Sequence, residues 1–219
     1  MSSFNASRLP YNWCLPLRKV SAHTSAYHQV ILTTCVINVI LAPLTVAANA
    51  FILAAIWRNQ SLRTPSYVLL AGLAVTDVCT GLLTQPLFVV QNMAEIIGNT
   101  VMYCIARPVY EFVAMYFSSL TAAVLTLIAV ERWLHMSRRS LVTVRRIAAL
   151  YITIAGLLII FVAVRMYTLY NRNENINTVL LIFYLSGTVC VVLTAFAYLK
   201  VFLIIRHHQN QVQIKTLLT

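Results

Sequence analysis

Charge is missing from long stretches of this chain, and that absence constrains its fold more than any other feature. No Asp, Glu, Lys or Arg occurs from Val20 to Trp57, Phe112 to Val130, Ile147 to Val164 or Asn175 to Leu199. From Thr64 to Ala94 there is one, Asp77. Crossing the hydrocarbon core of a bilayer takes about 20 apolar residues as helix, and each interval holds one crossing. The chain therefore reads as all-α, a polytopic bundle of five transmembrane helices near residues 28–57, 66–92, 101–133, 146–166 and 178–205. Residues 1–27 are left as an outer tail, and 206–219 as a cytoplasmic tail that starts the third inner loop. The first and third spans exceed the minimum length, which implies tilt or extension beyond the bilayer. Pro43 and Pro86 fall inside spans as tolerated kinks, whereas Thr64-Pro65 reads as a cap with proline in the first turn of the second helix.

Composition excludes the main alternatives. Hydrophobic residues make up 60% of the chain and charged ones 10%, against about a quarter charged in a soluble domain. A soluble globule this apolar would aggregate through its surface. The net charge of +11 suggests nucleic acid at first sight, but the basic residues lie between the apolar stretches and form no binding run, so no nucleic acid is expected. The partner surface is membrane lipid. Residues 1–28 lack the continuous apolar core of a signal peptide, which leaves targeting to the first span.

Orientation follows from Lys and Arg. With the N-terminus outside, ten fall on inner segments: Arg58, Arg63, Arg132, Arg138, Arg139, Arg145, Arg146, Lys200, Arg206 and Lys215. Six fall on outer segments: Arg8, Arg18, Lys19, Arg107, Arg165 and Arg172. The expected topology is N-terminus out and C-terminus in, and Asn5-Ala6-Ser7 then supplies a glycosylation acceptor at Asn5 on the outer tail.

Two polar constellations stand out against the apolar background. Asp77 sits near the middle of the second span, where an ionised side chain costs roughly 2.5–3.5 kcal/mol on insertion scales. Asn49 on the first span is placed to hydrogen-bond it, and Thr121 on the third lies at a compatible depth. Polar glue between helices is one reading, at about 0.6 kcal/mol; an ion- or proton-linked role is the other, since a neutral side chain would glue at less insertion cost. The second constellation is Glu131-Arg132-Trp133, where the third span leaves the hydrocarbon. It reads either as an interfacial anchor, with Arg132 snorkelling and Trp133 in the aromatic belt, or as a switch in which protonating Glu131 frees Arg132.

In order along the chain, these residues resemble the rhodopsin-like G protein-coupled receptors. Ala48-Asn49-Ala50 is similar to that family's first-helix Gly-Asn motif. Leu62-Arg63-Thr64-Pro65-Ser66-Tyr67 and Leu73-Ala74-Val75-Thr76-Asp77 resemble its first inner loop and second-helix motif. Ile128-Ala129-Val130-Glu131-Arg132-Trp133 resembles its Asp/Glu-Arg-Tyr motif, with Trp for Tyr, and Tyr198 falls where the family keeps a fifth-helix tyrosine. The resemblance implies a plasma-membrane receptor with an internal sodium or water pocket at Asp77, Asn49 and Thr121. It also implies a heterotrimeric G protein engaged by Arg132 and Tyr198, with Glu131 holding Arg132 at rest and residues 140–146 adding a basic partner surface. No cofactor is implied apart from that sodium ion.

The departures are as informative. The chain ends at Thr219, after a fifth span, so it resembles a receptor truncated there. The fourth span has no Trp, Cys190 replaces the usual fifth-helix proline, and Ala114 stands where an amine receptor needs Asp, so the extracellular ligand is not a conventional biogenic amine. Cys104 resembles the family's third-helix disulfide cysteine, but the second outer loop, 167–177, holds no cysteine; Cys14 on the outer tail is left as its candidate partner. The missing proline, short outer loop and absent loop cysteine resemble the branch containing melanocortin, cannabinoid and lysophospholipid receptors. A truncated, non-signalling five-helix protein that pairs with full-length receptors is the alternative function. An enzyme is not expected: none of the five histidines pairs with an acid at metal-ligand spacing.

Overall fold

The structure is a computed structural model that describes residues 25–59, 64–137, 143–170 and 176–217. Five helices occupy them: α1 Ser25–Arg58, α2 Pro65–Ile97, α3 Thr100–Met136, α4 Val144–Tyr170 and α5 Ile176–Leu217. The shortest, α4 with 27 residues, is about 40 Å long at 1.5 Å per residue, enough for a hydrocarbon core of about 30 Å. All five are long and apolar enough to cross a membrane. Cys14 and Asn5 lie outside the described residues, as do the rest of 1–24 and residues 138–142.

Helix ends follow local chemistry. Thr64 is extended (φ −91°, ψ 161°) and its side chain makes no capping bond, so Pro65 in the first turn sets the start of α2. At the other end Gly98 takes φ 74°, a left-handed conformation that lets its N–H turn back onto Ala94 and Glu95 carbonyls. Asn99 follows at once as the N-cap of α3, its side-chain oxygen accepting from the Met102 N–H at 3.1 Å. The Gly98-Asn99 pair thus reverses the chain between helices, and α2 runs on past the apolar stretch expected to end near residue 92.

Pro86 is absorbed by a change of helical pitch. Residues Thr80–Thr84 form a π-helical turn in which the Gln85 N–H bonds the Thr80 carbonyl. The wider turn makes room for the ring of a proline that donates no N–H. Pro43 and a third proline, Pro108, sit inside α1 and α3 without interrupting them. At the far end of the chain α5 continues as helix to Leu217, so residues 206–217, expected as a tail, begin as helix. No Gly or Pro follows Gly187 to stop it.

α3 is the hub, packing against α2, α4 and α5, while α1 covers α2. Val124 and Ala129 of α3, Leu69 and Ala74 of α2, Val162 of α4 and Ala197 of α5 are buried at these contacts. Large apolar side chains such as Phe51, Ile160 and Val191 face outward, as befits helices that are hydrophobic all round. Glycines set two approaches: a Cβ on Gly81 would lie 2.7 Å from the Val46 side chain and 3.2 Å from the Ala42 carbonyl oxygen, and one on Gly72 would lie 2.9 Å from the Tyr151 ring. Gly156 and Gly187 face open space. Gly81→Ala is expected to lower stability by about 1–3 kcal/mol through overpacking. Gly156→Ala should be neutral or stabilise by up to ~1 kcal/mol through helix propensity. Thermal unfolding of the two variants in detergent checks the contrast.

Candidate functional site

The polar residues of the bundle gather at two levels, one in mid-membrane and one at the end of α3 that carries Arg132. The first is a cavity of about 570 Å³ between α2 and α3, lined by Asp77, Thr80, Thr84, Ala114, Met115, Phe117, Ser118 and Thr121. It brings Asp77 and Thr121 together. The π-helical turn adds Thr80 and Thr84 from the same side of α2, which the sequence did not single out. Asn49 is not in the lining; its amide donates to the Thr45 carbonyl of its own helix at 3.0 Å. No Asn49–Asp77 hydrogen bond is seen among the described residues, and the amide turns instead onto a carbonyl one turn back.

The donor set of this cavity suits a small hard cation. It offers one carboxylate and the hydroxyls of Thr80, Thr84, Ser118 and Thr121, all oxygen. The Thr84 Oγ1 is buried with no hydrogen-bond partner among the described residues, an orphaned oxygen that an ion or water would satisfy. A sodium ion would be held there by Asp77 and these hydroxyls.

The second level is built on the end of α3. Glu131 is buried, and the Ser66 hydroxyl at the start of α2 donates to its Oε2 at 2.7 Å. Arg132 points the other way and is exposed. Neighbours on a helix diverge by about 100°, so the two do not face each other; Ser66, not Arg132, holds the carboxylate. Trp133 packs its ring edge-on against Phe196 of α5, centroids 5.8 Å apart at 83°. Lys200 places its ammonium over the other ring of that pair, 5.3 Å from the Phe196 centroid. Tyr198 of α5 is 49% exposed.

Several contacts escaped the sequence. Tyr151 of α4 donates to the Gly72 carbonyl at 3.3 Å and lies 3.3 Å from the Thr76 hydroxyl, clasping α2 where the fourth span has no tryptophan. Arg165, counted among outer-segment residues, is buried within α4 with its guanidinium against the Met115 sulfur. Near the start of α3, Arg107 bonds Glu111 at 2.8 Å and the Tyr103 hydroxyl at 3.0 Å. The Tyr27 hydroxyl donates to Glu95 at 3.1 Å. Cys104 is buried and disulfide-bonded, whereas Cys35, Cys79 and Cys190 are free thiols.

The family model of the 7 transmembrane receptor (rhodopsin family) matches residues 48–216, and the chain belongs to that family. Squid rhodopsin has the same fold: the superposition has a TM-score of 0.65 at 13% identity and covers 86% of this chain and 56% of that one. The chain thus spans little more than half the length of that solved relative. Comparison with curated proteins gives no match.

Ser66→Ala leaves a buried carboxylate without its donor and should cost about 1–3 kcal/mol. Thr153→Val removes a hydroxyl that bonds only the Ala149 carbonyl on an exposed face, and should change stability by less than about 0.5 kcal/mol. Melting curves of both proteins in detergent measure the difference.

Proposed function

We propose that the chain is the five-helix part of a plasma-membrane receptor that converts binding of an extracellular ligand into activation of a heterotrimeric G protein. The observation that carries the reading is the splay at the end of α3. Glu131 is turned inward onto Ser66, and Arg132 is presented outward in a chain whose family is a receptor family. A permanently charged guanidinium with several donors, at the rim of a bundle, is suited to a partner protein. The topology has the N-terminus outside, as the ten-to-six balance of Lys and Arg favours. Asp77 and Thr121, with Thr80, Thr84 and Ser118, would form the internal sodium or water site. Ala114, which lines that cavity, stands where the resemblance puts an amine receptor's aspartate, which speaks against a conventional biogenic amine as ligand.

Cys14 is the proposed partner of Cys104, and Asn5 the proposed glycosylation site. Both require residues 1–24 to reach the oxidising, glycosylating side of the membrane. Peptide mapping of protein from animal-cell membranes, run without reductant, should find a Cys14–Cys104 linked pair and a sugar on Asn5. Finding both sites unmodified would overturn the N-out topology and the pairing together.

The coupling test uses Arg132 and Glu131 in the 219-residue chain and in a chain carrying two further helices. In the longer chain Arg132→Ala should cut nucleotide exchange on a G protein roughly tenfold or more, as expected on losing charged hydrogen bonds worth about 1.5–3 kcal/mol. Glu131→Gln still accepts from Ser66 but removes a charge beside Arg132, so basal exchange should rise by about two- to fivefold, the range of a weak ion-pair effect. If Arg132→Ala lowers expression only and Glu131→Gln changes nothing, the pair is an interfacial anchor. The second reading, a non-signalling protein that pairs with full-length receptors, predicts no exchange in either context and co-purification with such a receptor.

A further inference from the structure

In mid-membrane, α5 is fastened to α3 by two hydroxyls. Thr126 Oγ1 lies 3.0 Å from Thr194 Oγ1 and 3.3 Å from the Cys190 carbonyl oxygen of α5. Each hydroxyl also has an acceptor on its own helix, the Ala122 carbonyl at 2.8 Å for Thr126 and the Cys190 carbonyl at 2.7 Å for Thr194. A hydroxyl carries one proton. The bridge forms when one of the two protons turns from its own helix's carbonyl to the facing hydroxyl, so it exists only when the hydroxyls face each other.

The stripe of α5 that turns away from lipid is Cys190, Thr194, Ala197, Val201 and Ile204, none of them exposed. Thr194 supplies its hydroxyl, so apolar packing along the stripe sets the face coarsely and this bond fixes the rotation. Tyr198 comes one turn after Thr194, about 40° further round the helix, and is left 49% exposed. The usual proline being absent, α5 is continuous through Cys190, and a rotation at Thr194 carries through to Tyr198.

We propose that Thr126 and Thr194 are positioning residues: their clasp holds α5 at the rotation that keeps Tyr198 away from Arg132, and its release lets α5 turn Tyr198 inward. The inference rests on the receptor reading, in which the resemblance has Arg132 and Tyr198 engage a G protein, but its test needs no G protein.

The test is the rate of oxidative cross-linking between Arg132→Cys and Tyr198→Cys in the 219-residue chain, reconstituted in lipid nanodiscs. Thr126→Val and Thr194→Val are isosteric and more apolar, so insertion is preserved; Thr126→Ser and Thr194→Ser keep the donor and guard against a packing effect. Each valine variant should raise the rate roughly threefold, the shift one average interhelical hydrogen bond in a bilayer supports. The double valine variant should match either single, because both remove the same bond, and the serine variants should stay at the parent rate. Unchanged rates in the valine variants, additive effects in the double, or serine behaving as valine would overturn the clasp. A flat nucleotide-exchange response in the longer chain, with the cross-linking pattern intact, would sink the receptor reading and leave the clasp standing.

Discussion

Hydrocarbon offers a polar side chain no water, and the structure turns on how each such side chain is satisfied. Most fold back onto their own helix: Thr33, Thr34, Asn38, Asn49, Asn92, Thr153 and Thr188 all donate to the carbonyl one turn earlier. These bonds hold a helix to itself and say nothing about its neighbours. A minority reach across: Ser66 to Glu131, Tyr151 to Gly72, and Thr126 to Thr194. Lipid supplies no hydrophobic drive between helices, so packing and such cross-links decide how the helices sit. Polar groups that bridge helices are therefore where rotation and register are fixed, and they coincide with the surroundings of the motif residues.

The membrane bundle was legible because charge is excluded wherever the chain crosses lipid. Five intervals and one interrupting aspartate gave the helices, and the ordered motifs gave the family. What stayed hidden depends on helix rotation. A helix that is apolar all round carries little asymmetry to reveal which side faces a neighbour, so Asn49 looked like a partner for Asp77 while its amide turns onto Thr45. The adjacency of Glu131 and Arg132 in sequence suggested a pair, yet consecutive helical residues diverge, and the structure splays them. Tyr151 carries no signal of its role in the sequence, because its clasp depends on the close approach that Gly72 allows. The Gly98-Asn99 turn had a local signal, a left-handed stop followed by an N-cap residue, and was missed because span length, not capping, set the boundary. The π-helical turn has no such signal beyond Pro86.

α3 passes through every level of the site. Met115, Ser118 and Thr121 wall the Asp77 cavity, Thr126 meets α5, Glu131 meets the start of α2, and Trp133 meets α5 again. No Gly or Pro occurs between Val109 and Met136, so this segment lacks the usual kink-forming residues. Thr121 and Arg132 are eleven residues apart, about 16 Å along the axis. No kink-forming residue intervenes between the cavity and Arg132. Pro108 lies on the far side of the cavity, where α3 approaches its N-terminal end and the Arg107–Glu111 pair. It separates that end from the stretch between Val109 and Met136. α3 thus runs as one continuous helix from the Asp77 cavity to Arg132, and each cross-helix bond it makes on the way ties it to a neighbour.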